Sequence, residues 1–355
     1  MGKIKPFLIV VGIAVAIGVV LKKVISLPSS KIRVGTSPKS IVISGKYAYV
    51  ANSGDNSVSV IDTTNNKLLE KPIVVGSYPE YIAISGNYAY VANYGDATVS
   101  VIDTTKNEVI KTIPVGSSPI CIAISGKYAY VTNSFDNTVS VIDTTTTKNE
   151  VIKTIPVGSV PIYIAISTSG KYAYVTNEVD STARVIDTTT NEVTSIEVGS
   201  GPRFIAISGN YAYVANYGDA TVSVIDTTKN EVIKKIPVGS GPIYIAISTS
   251  GKYAYVTNSL ANTVSVIDTT NLNKNPTKID VGNYPKYIAI SGNGKYAYVA
   301  NELDSSVSVI DTTTNDVTRI PVGFRPRFIA ISGNYAYVAN YGGNTVNVID
   351  ISGYK

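Results

Sequence analysis

The chain has no histidine and no tryptophan, and one cysteine and one methionine among 355 residues. Each absence narrows the chemistry. The side chain most used for proton transfer near neutral pH and for transition metals is missing. A single thiol, Cys121, makes neither an intramolecular disulfide nor a thiolate zinc site. It sits in an apolar strand at the place taken by Tyr81, Tyr163 and Phe204 in sister segments, so it reads as packing. Charge is sparse too, at 15% of residues, with a net +5. Lys3, Lys5, Lys22 and Lys23 carry most of that excess, and residues 31–355 are close to neutral. A near-neutral body gives no electrostatic footing for nucleic acid, which is excluded as a partner.

What is present is apolar and aromatic: 44% hydrophobic residues, including 26 tyrosines. Residues 1–30 form a leader and linker. Phe7 to Leu21 is an uncharged run flanked by lysines, short for a spanning helix and without a small-residue cleavage site. A signal-anchor and a cleaved signal peptide are both open. Either sends the rest of the chain to or through a membrane, so the expected location is extracytoplasmic, at the cell surface or membrane-anchored.

Residues 31–355 repeat. A Val-Gly pair returns eight times, from Val34 to Val322, each followed after two variable residues by proline, from Pro38 to Pro326. Then come IAIS-like, YAYV(A/T)N and SVIDTT-like segments and, usually, an EVIKTIP-like one. Each is a short Val/Ile/Tyr/Thr run bounded by Gly, Asn, Asp or Pro, which reads as four strands per repeat and no helix. Four strands recurring at this period predict an all-β fold, a single β-propeller of eight four-stranded blades. The last repeat lacks a fourth strand, and Lys31–Val34 matches one. The N-terminal strand is therefore expected to join the C-terminal blade and close the ring.

The second-strand motif reads YVTN at Tyr130, Tyr174 and Tyr255, and YVAN at Tyr49, Tyr90, Tyr213, Tyr298 and Tyr337. On these residues the chain resembles the YVTN β-propeller repeat family known from archaeal surface-layer proteins. The resemblance implies a propeller fold and a cell-surface or extracytoplasmic protein.

Features shared by every blade serve the blade; function must break the symmetry. The aspartates ending each third strand, and Asp55, Asp96, Asp136, Asp180, Asp219 and Asp304 in the loop between strands two and three, read as turn residues. One sector, blades seven, eight, one and two, differs by carrying Tyr284, Lys286, Phe324, Arg325, Arg327, Lys39 and Tyr78 around the Val-Gly turns. Aromatic faces beside cationic donors suit sugars, carboxylates or sulfates. These seven are the candidate binding residues, with no catalytic or metal-binding residue assigned and no cofactor expected. The expected function is a non-enzymatic surface propeller acting in interaction, adhesion or envelope structure. Its partners would be an anionic glycan, a cell-wall component or a surface protein. The alternative is a propeller enzyme of lyase or lactonase type, with an oxygen-ligated divalent metal in the channel; Glu80, Glu178 and Glu302 are the acids near that face.

Overall fold

The computed structural model describes residues 29–145 and 149–354, all of it strands and turns. The Phe7–Leu21 run lies outside the described residues, among which no helix is long and apolar enough to cross a membrane. Eight antiparallel sheets follow one another around an axis. Their inner strands are Pro38–Ser44, Pro79–Ser85, Pro119–Ser125, Pro161–Ile166, Pro202–Ser208, Pro242–Ile247, Pro285–Ile290 and Pro326–Ser332, here numbered blades one to eight. Proline opens each of them, where its missing N–H costs no ladder bond. In blade one the outer strand is broken into Lys67–Leu68 and Ile73–Val74, with Pro72 in the gap.

Closure is as the sequence predicts. Ser29–Arg33 pairs antiparallel with Thr345–Asp350, Lys31 opposite Asn347 and Ile32 opposite Val346. The last blade thus takes one strand from the start of the chain and three from its end.

The core is eight clusters, one between each pair of blades. In one of them Tyr49, Ala51, Val58 and Val60 of blade one meet Ile82, Ala89 and Val91 of blade two. The last joins Tyr337, Val346 and Val348 to Ile41, Ala48 and Val50 across the seam. Strand alternation explains the pattern: the second tyrosine of YAYV fills the space above the small alanine face of the next blade. Its hydroxyl then needs a partner. Tyr49, Tyr90, Tyr174 and Tyr337 donate to Oδ1 of Asn107, Asn149, Asn230 and Asn66 in the outer turn of the following blade, at 2.5–3.1 Å. Each of these asparagines has φ between 39° and 60°, the left-handed conformation asparagine tolerates best among side-chain-bearing residues. Tyr174→Phe should therefore cost about 1 kcal/mol by orphaning Asn230, read as a lower urea midpoint at unchanged m-value.

The aspartates of the second-to-third strand loops are turn residues. Oδ2 of Asp55, Asp96, Asp136, Asp180, Asp219 and Asp304 accepts the backbone N–H of Thr36, Ser77, Ser117, Ser159, Ser200 and Asn283, at 2.7–3.1 Å. These bonds fix the Val-Gly turns on the face where the channel opens.

Candidate functional site at the channel mouth

The site grows out of one backbone irregularity. In every blade the inner strand slips register just after its proline; in blade seven Pro285 pairs with Asn301 and Tyr287 with Ala300, leaving Lys286 unpaired. Such a bulge re-aims the extra side chain. The residues after the eight prolines, Lys39, Glu80, Ile120, Ile162, Arg203, Ile243, Lys286 and Arg327, thereby ring the mouth of the channel and line one cavity of about 360 Å³.

One layer deeper stands an aromatic collar. In blade order its positions are Ser40, Tyr81, Cys121, Tyr163, Phe204, Tyr244, Tyr287 and Phe328. From Tyr163 to Phe328 the rings stack face on tilted face, with centroids 3.7–4.1 Å apart. Burial pushes these phenols up, Tyr287 to about 12 and Tyr163 and Tyr244 well above the ordinary range, so the collar is uncharged at neutral pH. Cys121 is inert: burial raises its thiol to about 12. Tyr81 reaches over it, its hydroxyl 3.3 Å from that of Tyr163.

Two matching charge clusters frame the mouth. Glu178 accepts Nε and Nη2 of Arg203, both at 2.8 Å, and Arg203 lies 3.9 Å over the Tyr217 ring. Three blades on, Glu302 accepts Nε and Nη2 of Arg327 at 3.0 and 2.9 Å, and Arg327 lies 3.8 Å over Tyr341. Arg325 joins the second cluster at 2.6 Å from the same carboxylate oxygen. Glu302 is only 2% exposed. Burial raises its carboxyl, but Arg327 and Arg325 outweigh that and hold it below the usual range. Lys39 pairs with Glu80. Lys286 alone among these mouth cations has no carboxylate partner among the described residues. Burial, reinforced by Arg327, Arg203 and Arg325, holds its ammonium below the ordinary lysine range against the opposing pull of Glu302.

Of the seven residues the sequence singles out, Lys39, Lys286 and Arg327 line the cavity. Arg325 grips Glu302 from just outside it, and Tyr284 lies beside Lys286, 5.7 Å from ring centre to Nζ. Both turn residues have φ near 55°, at the place where blades five and six use Gly201 and Gly241, so the fold tolerates strain to present them. Tyr78 and Phe324 are 58% and 62% exposed, lie over Gly95 and Gly342 of their own blades, and do not line the cavity. Sequence reading named Glu178 as an acid near this face but missed its pairing with Arg203, and it missed the whole collar. Reading three registers down the repeats, the first and second residues after each proline and the residue after each motif asparagine, would have found them.

The likenesses to known proteins agree with this architecture. The LVIVD repeat matches residues 35–80, 76–103, 121–144, 282–311 and 327–353. The chain is a β-propeller repeat protein. Within the propeller, the cytochrome D1 heme domain matches residues 194–281. No curated protein matches. Among solved structures, Kuenenia stuttgartiensis hydrazine synthase is 26% identical, with a TM-score of 0.64 over 77% of this chain and 96% of that one. A dihydro-heme d1 dehydrogenase, 17% identical, gives 0.69 over 88% and 69%. Staphylococcus aureus virginiamycin B lyase, 16% identical, gives 0.63 over 92% and 99%. The last two show the fold.

These findings correct the expectation that the propeller is not an enzyme. It rested on residue types the chain lacks, and the match of residues 194–281 to the cytochrome D1 heme domain overturns it. The residues present do not, however, fit a ligated haem. Haem iron takes histidine, thiolate, methionine or tyrosinate; there is no histidine, the Cys121 thiol is buried and protonated, and the collar phenols are held protonated. Nor do the described residues hold a group of three or more His, Cys, Asp or Glu suited to a metal ion. Glu80, Glu178 and Glu302 are each committed to a cation.

Proposed function

We propose that this propeller is a lyase acting on 3-oxo-carboxylates, with Lys286 as the amine that condenses with the substrate carbonyl. The observation that carries the reading is an unpaired lysine in an aromatic-floored cavity, surrounded by guanidiniums. A lysine desolvated beside other cations keeps a larger neutral fraction, which is what a nucleophilic amine requires. Arg203 and Arg327 each use Nε and Nη2 on a glutamate and keep Nη1 for the substrate carboxylate.

The Lys286 nitrogen adds to the carbonyl carbon and water departs, leaving a protonated imine. The bond to the carboxylate carbon then breaks, carbon dioxide leaves, and its electron pair is taken up by the iminium nitrogen as an enamine. Protonation at carbon and addition of water return the lysine and release a ketone. No metal or external oxidant enters the balance.

Acetoacetate with sodium borohydride is the test. Reduction should fix one adduct on Lys286, found by peptide mass mapping, and Lys286→Gln should abolish both the adduct and carbon dioxide release. The rate should rise with pH and level off below the ordinary lysine pKa of about 10.4, because the amine neutralises early. Absence of an adduct, or adducts spread over surface lysines, would defeat the reading. We infer further that the repeats are of YVTN type and that the enzyme works outside the cytoplasm; the lysine-flanked leader supports the second, and cell fractionation checks it.

A further inference from the structure

The collar has eight positions and one true gap. Cys121 also lacks a ring, but Tyr81 bridges it to Tyr163. At Ser40 nothing does: among the described residues no ring contact joins Phe328 to Tyr81. Beneath lies a second cavity of about 410 Å³, walled by Val42, Ile43, Ala289, Ile290, Ala330 and Ile331 among others. All its walls belong to blades seven, eight, one and two, so it is centred under the gap. Ser40, Tyr81, Tyr287 and Phe328 border both cavities. The Ser40 hydroxyl is an orphan, in a side chain 3% exposed and with no hydrogen-bond partner. A buried polar group left unmatched is costly, and its presence in a passage walled mostly by aliphatic side chains calls for a partner that arrives with a ligand.

We infer that the channel takes a linear amphiphilic carboxylate, head at the arginine mouth, tail threaded past Ser40 into the lower cavity, with an oxygen at the third carbon meeting the Ser40 hydroxyl. This rests on the proposed carboxylate site and adds the substrate class, medium-chain acyl carboxylates oxygenated at carbon three. The charge and the depth agree. The mouth holds Lys39, Arg203, Lys286, Arg325 and Arg327 against three glutamates, an anion-seeking excess. From Ser40 to Ile43 the strand descends about 10 Å at 3.3 Å per residue, room for a tail of several methylenes. Small side chains, Ala289 and Ala330, stand where the collar has rings one layer up, so the passage widens below the constriction.

Calorimetric titration of the full-length protein with butanoate, hexanoate and octanoate tests this. Affinity should rise three- to fourfold per methylene, about 100-fold from butanoate to octanoate. Ser40→Phe supplies the ring that Phe204 and Phe328 carry at the same position in intact blades, and should collapse the octanoate-to-butanoate ratio toward one. Ser40→Ala keeps the gap open; it should preserve that ratio but remove the preference for 3-hydroxyoctanoate over octanoate, about fivefold. A flat series in the wild type, or a wild-type ratio in Ser40→Phe, overturns the inference. Failure of borohydride trapping beside an intact length series would retire the lyase and keep the threaded site. Trapping beside a flat series would do the reverse.

Discussion

Glu302→Gln should be the most damaging single exchange at the channel mouth, destabilising the fold by about 3–5 kcal/mol. Glu302 is buried and satisfies two guanidiniums through one oxygen. The amide keeps the shape but removes the charge, leaving Arg325 and Arg327 facing each other beside Lys286 with nothing to offset them. The effect depends on pH with a definite sign. The folded-state pKa of Glu302 is depressed, so its contribution is fully present above the unfolded value of about 4.3 and fades as pH falls through the folded one. Urea unfolding of both proteins should give a constant gap above about pH 5 that narrows in more acid solution. A second readout separates chemistry from stability. Glu302 raises the Lys286 pKa, so the exchange should shift the borohydride-trapping profile to lower pH. A gap under 1 kcal/mol would mean that the arginines are held by something other than this carboxylate.

Removing residues 1–34 should open the ring. The Ser29–Arg33 strand covers five positions of the Thr345–Asp350 edge, and its loss removes backbone bonds worth about 1 kcal/mol each together with the cover that Ile32 gives the last blade. About 5 kcal/mol is a large part of the stability of an ordinary domain. The bared edge, Thr345–Asp350 (TVNVID), is short, β-prone and carries only the terminal Asp350 as charge, which favours pairing with a second copy. Truncated protein should melt well below the parent in calorimetry and elute as dimers or larger species from a sizing column. A monomer with the parent's melting temperature would show that the seam contributes little.

The closing strand and the Glu302 cluster mark two kinds of legibility. Closure could be read from the chain because a missing fourth strand at one end and a spare one at the other are both local facts. The aspartate turns were legible for the same reason, their backbone bonds lying within their own turn or the turn beside it. Lys39, Lys286 and Arg327 were found because they stand at an indexed place in the repeat. Arg203 stands in blade five, outside that sector, and its partner Glu178 lies one blade away, so no local pattern joined them. The expectation of a non-enzyme came from residue types the chain lacks, and it gave no weight to what burial does to a lysine already present.

The amino-acid sequence by itself determined the strand count, the blade period, the ring and the tyrosine-on-alanine core, because these follow from alternation and turn chemistry repeated eight times. Only the tertiary structure decided which side chains meet on the axis. A bulge after each proline turns residues far apart in the chain toward one point, and whether a missing ring leaves an opening depends on its neighbours. At Cys121 Tyr81 covers the gap; at Ser40 it stays open.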